Sequence, residues 1–436
     1  MKIKNLFLFP IIILSLLSSC KKEDVAPEGV TPAMARDSLY YIMKEFYYWY
    51  NMPEANSVTE ATKSNYSDPY ELLEAMRYKT LDRWSFVADY DEFLAEMQGT
   101  FVGHGFQIGI DQAGKARIAM IYNKSPLYAN GVRRGWIIKK INGVDPAPIL
   151  IAGDVEAYSN LIGPSTAGIT NIFVFTKPDG TDETISSTKS TFSVNTVHAA
   201  EVIQLSSGAT GHLVFDSFIT PSSAELASAF STFKAANIKD LILDLRYNTG
   251  GYLNIAQTLA SYIAGDSKKG SVFAKLSYND KHQAENYTFP FIATSYSLDL
   301  TRIVVITSRS TASASEAVMN GLKPFVNVIS IGDTTNGKPT GMNGWPVAEK
   351  YYMWPITFKM VNAENQGEYF DGIFPAKVLP DDITHDFIDK EEVCFKEAIH
   401  YLETGTVSTK SLMTFKRYPQ YSEKPEWMNN AFVTDK

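Results

Sequence analysis

Apolar side chains at helical spacing begin the part of the chain that is predicted to fold. One face of the first predicted helix carries them: Leu39, Ile42, Met43, Phe46 and Tyr50. Asp68 and Pro69 then form an N-cap and first-turn pair ahead of a second predicted helix over residues 70–77. These patterns predict a small helical N-terminal domain over residues 33–98.

From Gly99 the pattern changes to short apolar strands separated by glycine turns. A glycine-rich loop over residues 103–106 leads into a predicted strand over residues 107–110. Further turns follow as S-P-L-Y-A-N-G-V, G-W-I-I and I-N-G at residues 125–132, 135–138 and 141–143. This order of turns resembles a PDZ domain of the bacterial protease type, which we expect over residues 99–192.

The resemblance to a PDZ domain implies a peptide-binding loop. In that family a glycine-rich backbone points its N–H groups at the terminal carboxylate of a peptide, and the peptide adds as a strand to the sheet edge. Glycine suits this role because the missing Cβ lets the backbone approach the ligand closely. The predicted peptide-binding residues are Gly103, His104, Gly105 and Phe106.

Strands and helices alternate in the next part of the chain. A strand is predicted over residues 212–218, and residues 221–225 (P-S-S-A-E) offer a capping box for a helix that ends near Asn237. Continuous apolar runs predict buried strands with a helix between the last two: strands 241–243, 302–307 and 326–331, and helix 314–322. This alternation predicts a layered α/β catalytic domain over residues 193–406, followed by a C-terminal extension over residues 407–436.

The N-terminus carries a targeting signal. Two lysines precede an apolar run over residues 6–17 that is too short for a spanning helix. Residues 17–20 (L-S-S-C) resemble a bacterial lipobox, in which the cysteine is lipidated and becomes the new N-terminus. We therefore predict a signal peptide over residues 1–19, a lipid on Cys20 and a flexible tether over residues 20–32. The alternative is a plain secretory peptide in which Cys20 is incidental.

Composition narrows the function classes. The 436 residues exceed one ordinary core, so the chain is predicted to be a multidomain α+β protein of two or three domains. Hydrophobic residues at 45% and charged residues at 20% argue against disorder and against a multi-span membrane protein. A formal net charge of −8 argues against a nucleic-acid partner. The predicted anchor indicates an exported lipoprotein of the bacterial cell envelope, either periplasm-facing or on the cell surface. Cys394 is the other cysteine, so acylation of Cys20 would leave no intramolecular disulfide.

The candidate nucleophile lies in a serine-rich segment. Residues 310–316 (S-T-A-S-A-S-E) fall between a predicted strand and a predicted helix. A serine at such a junction gains from the helix N-terminus, whose free N–H groups stabilise a developing oxyanion. The alternative reading of this segment is an ordinary Ser/Ala-rich helix cap.

A lysine that follows the next predicted strand supplies a candidate base. Lys338 lies between glycines in the loop over residues 335–341 (T-N-G-K-P-T-G). A serine hydroxyl needs a base to become a good nucleophile, and a neutral lysine can be that base. Because free lysine titrates near ~10.4, such a site must lower the lysine pKa by burial. The alternative is a surface loop lysine.

Together these segments resemble the carboxyl-terminal processing proteases, also called tail-specific proteases. The resemblance implies a crotonase-like catalytic fold in which Ser313 attacks a peptide bond and Lys338 takes its proton. A third segment, D-L-R-Y-N-T-G-G at residues 244–251, resembles the loop that supplies an oxyanion-hole N–H in that family. The oxyanion-hole candidates are thus Gly250 or Gly251 together with Ala314. The resemblance runs from about residue 70 to 400 and includes residues 371–375 (D-G-I-F-P).

One position departs from the family pattern. Many relatives place a glutamine four residues after the lysine to orient it, whereas this chain has Met342 there, with Asn343 adjacent. The histidines fall in no metal-ligand spacing, and neither a metal nor an organic cofactor is implied. His212 lies in an apolar strand and is expected to be structural, although a Ser-His-Asp triad stays open in principle.

The sequence therefore predicts an anchored serine endopeptidase. Its expected partners are proteins or peptides with unstructured C-termini, captured by the PDZ domain, and a membrane reached through the lipid. Two alternatives belong to other classes. One is an anchored PDZ scaffold that binds peptides with weak or no protease activity. The other is a surface lipoprotein that binds a nutrient polymer, as the anchor and the 24 Tyr and 25 Phe residues would allow.

Overall fold

The computed structural model describes residues 29–409, 415–418 and 421–423. The predicted signal peptide, Cys20 and most of the tether lie outside the described residues, as does most of the predicted C-terminal extension. None of the helices in the described part of the chain combines the length and the apolar character that crossing a bilayer requires.

The fold is mixed α/β. The helices are α1 Pro32–Phe46, α2 Pro53–Ser57, α3 Pro69–Met76, α4 Tyr90–Met97, α5 Pro126–Ala129, α6 Ala147–Ala152, α7 Val155–Ile162, α8 Ser222–Ala235, α9 Leu253–Ala264, α10 Ala314–Leu322 and α11 Val393–Thr404. The strands are β1 Phe86–Asp89, β2 Thr100–Gly103, β3 Phe106–Ile110, β4 Ala116–Ile121, β5 Ile137–Ile141, β6 Thr170–Thr176, β7 Asp182–Thr188, β8 Ser190–Ser193, β9 Val197–Leu205, β10 Gly208–Phe215, β11 Asp240–Asp244, β12 Val272–Tyr278, β13 Tyr287–Pro290, β14 Arg302–Thr307, β15 Asn327–Gly332, β16 Thr340–Met342, β17 Trp345–Val347, β18 Tyr351–Trp354, β19 Ile356–Val361, β20 Lys377–Val378 and β21 Tyr421–Ser422.

The N-terminal helices form near the predicted positions, but α1 ends at Phe46, so Tyr50, predicted on its apolar face, lies in the turn that follows. Asp68 Oδ1 accepts from the N–H groups of Tyr70 and Glu71 at 2.9 Å each, so α3 begins at Pro69 as expected. This segment shares its core with residues far along the chain, because Met43 and Leu72 pack in one cluster with residues of β18 and β19. The segment also contains β1, which pairs antiparallel with β18 and joins it to the rest of the molecule.

The upstream β-module, residues 99–193, contains β2 to β8. Its larger sheet has the strand order β21-β3-β4-β5-β6-β7, and β2 pairs separately with β8. Ile118, Phe173 and Phe175 are fully buried between this sheet and its short helices. The outermost strand, β21, comes from the C-terminal part of the chain and pairs antiparallel with β3.

The central sheet of the downstream domain has the strand order β20-β15-β14-β11-β10-β9. The pairings from β20 to β10 are parallel, and β9 is antiparallel. Helix α11 covers one face, and helices α8, α9 and α10 cover the other, beyond which lies the sheet β13-β12-β19-β16. Burial on both faces explains the continuous apolar runs of β11 and β14. The predicted strand over 302–307 and the predicted helix over 314–322 are confirmed at both ends.

Two local predictions were wrong. Strand β10 ends at Phe215, three residues before the predicted end at Phe218. The capping box expected over residues 221–225 does not form, because the N-cap of α8 is Pro221 and no side chain caps it. The Glu225 carboxylate instead accepts from the backbone of Thr196 and Val197 at 2.7 and 2.8 Å. The Glu225 carboxylate therefore bonds a distant part of the chain instead of capping its own helix, and it joins α8 to the start of β9.

The sheet topology places the candidate chemistry at one edge. Parallel strands β11, β14 and β15 end at Asp244, Thr307 and Gly332, so their carboxyl ends lie side by side. The loops that follow them carry residues 245–252 and 308–313 and the lysine loop. Crevices outside the carboxyl ends of parallel strands are the usual ligand sites of open α/β sheets.

Candidate active site

Ser313 lies at the N-terminus of α10 in a strained conformation. It is the N-cap residue, with φ of +55° and ψ of −113°, a region that residues with a side chain rarely adopt. Such strain persists where the surrounding structure fixes it, often at functional sites. The side chain is half-buried and so keeps access to solvent. Ala314, the first residue of α10, has no intrahelical acceptor for its N–H.

Lys338 lies in a tight loop and is almost fully buried. Gly337 precedes it with φ of +93°, and a Cβ at that glycine would lie 2.4 Å from the Phe370 carbonyl oxygen. Lys338 is 5% exposed. Burial lowers the pKa of its amine from 10.5 to about 8, against the opposing effects of the Asp82 and Glu316 carboxylates. A substantial fraction of Lys338 is therefore neutral near pH 8.

Glu316 joins the two loops. Its Oε2 accepts from the backbone N–H of Ser313 at 3.0 Å and of Lys338 at 2.8 Å. Its Oε1 accepts from the N–H of Gly337 at 2.7 Å and from Thr335 Oγ1 at 2.5 Å. The carboxylate is fully buried, and that burial raises its pKa despite these hydrogen bonds. Sequence reasoning assigned no role to Glu316, although an acidic residue at the third helical position was the available signal.

The amine of Lys338 contacts a thioether. Its Nζ lies 3.3 Å from Sδ of Met342, the residue at which the sequence departs from the pattern that the resemblance implies. Asn343 does not take over this contact, because its Oδ1 accepts from Thr357 Oγ1 at 2.7 Å. A thioether is a weak acceptor, so it holds the amine without strongly favouring the ammonium form.

The N-terminal segment also borders the lysine loop. Asp82 is buried and accepts from the Tyr47 hydroxyl at 2.7 Å and from the Ser85 hydroxyl at 2.6 Å. Trp84 Nε1 donates to Asn336 Oδ1 at 2.9 Å, and Asn336 lies two residues before Lys338. Sequence reasoning missed Asp82, since nothing in the local pattern connects it with a loop more than 250 residues away.

The loop over residues 244–251 packs directly against the serine segment. Asn248 O accepts from the Ala312 N–H at 3.1 Å and from Ser315 Oγ at 3.0 Å. A Cβ on Gly250 would lie 2.8 Å from the Ser313 Cβ and 3.1 Å from the Ala314 nitrogen. The predicted oxyanion-hole residues Gly250 and Ala314 are thus adjacent, and glycine is required at 250 by the close approach.

The two candidate glycines differ in their surroundings. The Gly250 N–H donates to Asn248 Oδ1 at 2.9 Å and is therefore already engaged. Gly251 is exposed, with φ of +134°, and a Cβ there would lie 2.3 Å from the Phe218 carbonyl oxygen. Both positions demand glycine, but in this conformation only Gly250 is held by the Asn248 side chain.

A buried ion network fixes the base of this loop. Arg246 is 1% exposed and bonds Asp244 Oδ2 at 2.6 Å, Glu392 Oε1 at 2.7 Å and Asp381 Oδ1 at 2.9 Å. Asp381 also pairs with Arg134 of the upstream β-module at 2.9 Å. Arginine supplies several fixed donors, so one side chain can hold three carboxylates. The network connects the loop after β11 with both the α11 region and the upstream β-module.

The predicted peptide-binding residues lie together at the edge of the upstream β-module. The N–H groups of His104 and Gly105 donate to Glu423 Oε2 at 2.6 and 3.0 Å. Gly103 lies against the same carboxylate, whereas the Phe106 side chain points into the module core. The structure thus groups three of the four predicted residues around one carboxylate.

His212 is buried in the central sheet away from this chemistry. Its ring stacks on Phe395 with the centroids 4.1 Å apart. Burial lowers its pKa from 6.5 to about 4. Among the described residues, no group of three or more His, Cys, Asp or Glu side chains is placed to hold a metal ion.

Two family models match the chain. The model for peptidase family S41 matches residues 209–379, and the model for the peptidase S41 N-terminal domain matches residues 35–86. Together they cover just over half of the chain. The first contains the strained serine, Glu316 and the lysine loop, and the second contains Asp82.

The curated relatives are described as carboxy-terminal processing proteases. The carboxy-terminal processing protease CtpB of Bacillus subtilis (strain 168) is 23% identical over 287 residues, which cover 65% of this chain and 56% of CtpB. The carboxy-terminal processing protease CtpA of the same strain is 25% identical over 357 residues, covering 77% of this chain and 71% of CtpA. The match thus spans little more than half of CtpB.

Solved structures share the fold. A protein of Bacteroides fragilis NCTC 9343 described as an S41 protease has a TM-score of 0.69 at 22% identity, covering 85% of this chain and 97% of that one. The photosystem II D1 C-terminal processing protease has a TM-score of 0.52 at 17% identity, with 85% and 97% covered. At these identities the likeness concerns the fold alone. The two family models and the curated relatives, together with this shared fold, show that the chain belongs to peptidase family S41.

Proposed function

We propose that the chain is a serine endopeptidase that uses Ser313 as nucleophile and Lys338 as general base. One observation carries the proposal: a buried lysine with a pKa of about 8 is tied through Glu316 to the backbone of a strained serine. A general base works best when its pKa lies near the operating pH. Burial away from water lowers the pKa of Lys338 into this range, and the weak contact with the Met342 thioether does not raise it again.

The reaction follows from these groups. Ser313 Oγ attacks the carbonyl carbon of a peptide bond while neutral Lys338 Nζ takes the hydroxyl proton. When the C–N bond breaks, the ammonium returns that proton to the leaving amine, which leaves an ester on the serine. Water then attacks the ester and gives a proton to Lys338, which passes it to Ser313 Oγ as the acid product leaves. Protons and electrons balance without a cofactor.

The developing oxyanion needs donors next to Ser313. The Ala314 N–H lies at the start of α10, where the helix dipole adds to its effect. The second donor comes from the 250–251 backbone. Because the Gly250 N–H donates to Asn248, the Gly251 N–H is the better candidate unless the Asn248 side chain turns away.

Substrate capture is assigned to the upstream β-module. We assign residues 99–192 to a PDZ-type domain and the residues downstream of it to a crotonase-like catalytic domain. Two backbone N–H groups at the sheet edge of the upstream β-module already bind a carboxylate, and an extended chain segment already pairs with β3. These are the two contacts with which such domains take up the C-terminus of a peptide. The relatives' description as carboxy-terminal processing proteases supports the same substrate class.

Membrane attachment is proposed through Cys20. The lipobox-like residues 17–20 support an exported lipoprotein of the bacterial cell envelope. Labelled palmitate should be incorporated into the full chain expressed in a bacterial host and should be absent from Cys20→Ser. Equal labelling of the two proteins would reject this assignment.

Digestion of unfolded casein tests the catalytic proposal. The chain starting at Lys21 should degrade casein, and Ser313→Ala and Lys338→Ala should each lose at least about a thousandfold in kcat. Lys269→Ala is the matched control, because that lysine is exposed in the loop between α9 and β12, and it should keep full activity. Equal turnover by the parent and Lys338→Ala would overturn the dyad.

A second candidate is an anchored peptide-binding scaffold with weak or no protease activity. Met342 in the place of glutamine and the engaged Gly250 N–H favour it. A fluorophosphonate probe reacts with activated serines. Labelling of the parent that disappears in Ser313→Ala would reject the scaffold, whereas absence of labelling in the parent would support it.

A further inference from the structure

The C-terminal part of the chain occupies the edge of the upstream β-module. Tyr421 pairs with Ile108 and Ser422 with Gln107 in an antiparallel ladder, so β21 extends the sheet at β3. Tyr421 is buried and packs against Tyr158, with ring centroids 5.4 Å apart. The direction of β21 brings the next residue, Glu423, to the loop that contains His104 and Gly105.

The Glu423 carboxylate occupies the position of a ligand carboxylate. Oε2 accepts from the N–H groups of His104 at 2.6 Å and Gly105 at 3.0 Å, and Oε1 lies 3.1 Å from Lys189 Nζ. The Lys189 and Glu423 side chains are 0% and 6% exposed. A charge pair this deeply buried is costly to break from one side, because the remaining ion stays desolvated.

The groups around this carboxylate form a built site. The His104 ring is held between Ser187 Oγ at 2.8 Å and Asn171 Oδ1 at 2.7 Å. Gly105 has φ of +78°, and a Cβ there would lie 2.2 Å from Ser125 Cβ. These contacts fix the backbone with both N–H groups directed at one point. The site is therefore prepared for an anion before any ligand arrives.

The same segment reaches the active-site side of the molecule. Arg417 bonds Asp333 with Nε–Oδ2 at 2.6 Å and Nη2–Oδ1 at 3.1 Å, and Asp333 follows β15 at the start of the lysine loop. Lys416 N and O bond the side-chain amide of Gln112 at 3.0 and 2.9 Å. The described residues 415–418 and 421–423 thus contact both the upstream β-module and the catalytic domain.

We propose that the described residues 415–418 and 421–423 act as an internal ligand of the upstream β-module, which an external peptide must displace before its carboxylate can bind. The occupant is a side-chain carboxylate, so the site takes either Glu side chains or the terminal carboxylate of a peptide. This inference rests on the peptide capture proposed above and is independent of catalysis by Ser313.

The internal ligand should weaken external binding measurably. A covalently attached segment competes at an effective concentration of about a millimolar. Because an external peptide can bind only molecules whose site is open, its apparent affinity is the intrinsic affinity multiplied by the fraction of open sites. With the charge pair and β21 in place, we expect at least a tenfold weaker apparent affinity.

The test uses Ser313→Ala chains, so that no peptide is cleaved. The probe is a fluorescein-labelled peptide of residues 415–423, F-K-R-Y-P-Q-Y-S-E, amidated at its end. By anisotropy, Glu423→Gln should bind it at least tenfold more tightly than the parent. Glu391→Gln is the matched control, since that glutamate is exposed and pairs with Lys396. Gly103→Ala should bind the peptide more weakly than the parent, because its Cβ would lie 2.7 Å from the carboxylate oxygen and force it to shift.

Hydrogen exchange separates the possible outcomes. The amides of His104 and Gly105 should exchange at least tenfold faster in Glu423→Gln than in the parent or in Glu391→Gln. Equal exchange in all three proteins, or equal peptide affinity in the parent and Glu423→Gln, would overturn the internal ligand. If Glu423 protects these amides but the peptide binds no variant, external displacement is rejected and the proposed peptide capture fails with it. Loss of casein digestion alone would leave the inference intact.

Discussion

The backbone N–H groups of Ser313 and Lys338 donate to the same oxygen, Oε2 of Glu316. The two nitrogens can therefore be no farther apart than the two bonds combined, although the residues belong to loops after different strands. The serine at the start of α10 and the lysine ahead of β16 cannot move independently while this carboxylate is in place.

Replacing Glu316 should separate the two loops. In Glu316→Gln one acceptor oxygen becomes an NH₂ donor facing backbone N–H groups, and unpaired buried donors cost about 1–3 kcal/mol each. We expect a kcat loss of about a hundredfold or more with a smaller change in KM, and a destabilisation of about 3 kcal/mol. Steady-state kinetics and urea unfolding measure both. Glu391→Gln should change neither, and an unchanged kcat in Glu316→Gln would contradict the positioning role.

The pH dependence of activity should report the protonation of Lys338. Because Lys338 must be neutral to accept a proton, kcat/KM should rise with pH, about tenfold per unit, and level off above a pKa of about 8. A pH profile from 5.5 to 9.5 measures this. Lys338→Arg should be inactive throughout, since a guanidinium stays charged. A plateau that already begins near pH 6 would contradict lysine as the base.

The same pKa predicts a cost in stability. The folded pKa is about 8, against an ordinary value of 10.5, so the unfolded chain binds the proton more tightly. Stability is therefore lowered by about 3 kcal/mol below pH 8 and recovers as pH rises from 8 to 10.5. Lys338→Met, which fills similar space without a charge, should be more stable by about that amount at pH 7.

Urea unfolding at pH 7 and pH 10 checks this prediction. The gain in Lys338→Met should shrink at the higher pH, while Lys269→Met, at an exposed position, should show no gain at either pH. A destabilised Lys338→Met at pH 7 would show that the amine is not penalised in the folded protein.

Changing Met342 should move the pH profile. A glutamine carbonyl is a stronger acceptor than a thioether and favours the ammonium form of Lys338. Met342→Gln should therefore shift the rising limb of activity to higher pH by about half a unit to one unit. Met342→Leu keeps the side-chain volume but has no acceptor, so the rising limb of its pH profile should not move to higher pH. A limb that moves to lower pH in Met342→Gln would contradict the amine–sulfur contact.

His212 should make the fold acid-labile. Its pKa is about 4 in the folded protein against 6.5 ordinarily, because burial against Phe395 opposes the charged ring. The unfolded chain takes the proton first, so about 3 kcal/mol of stability is lost as pH falls from 6.5 to 4. His212→Phe should lose less stability over that window in urea titrations. An identical slope in both proteins would contradict this assignment.

Sequence alone predicted the parts whose signal is local. Apolar runs and turn residues located β14, α10 and the serine segment, and the resemblance singled out Lys338. The sequence did not reveal that Glu316 joins the serine and lysine loops, since a glutamate near the start of a helix is usually a cap. The Glu225 carboxylate shows the reverse error, where an expected cap turned to a distant strand. β21 was missed because two residues that complete another module's sheet have no periodicity of their own.

The sulfur beside Lys338 has a consequence under oxidative stress. Met342 is half-buried, so hydrogen peroxide could reach it, transfer one oxygen atom to form the sulfoxide and leave as water. The new S=O group would accept strongly from the amine and hold its proton. Peroxide would thereby silence the enzyme without touching the serine, and methionine sulfoxide reductases would restore it.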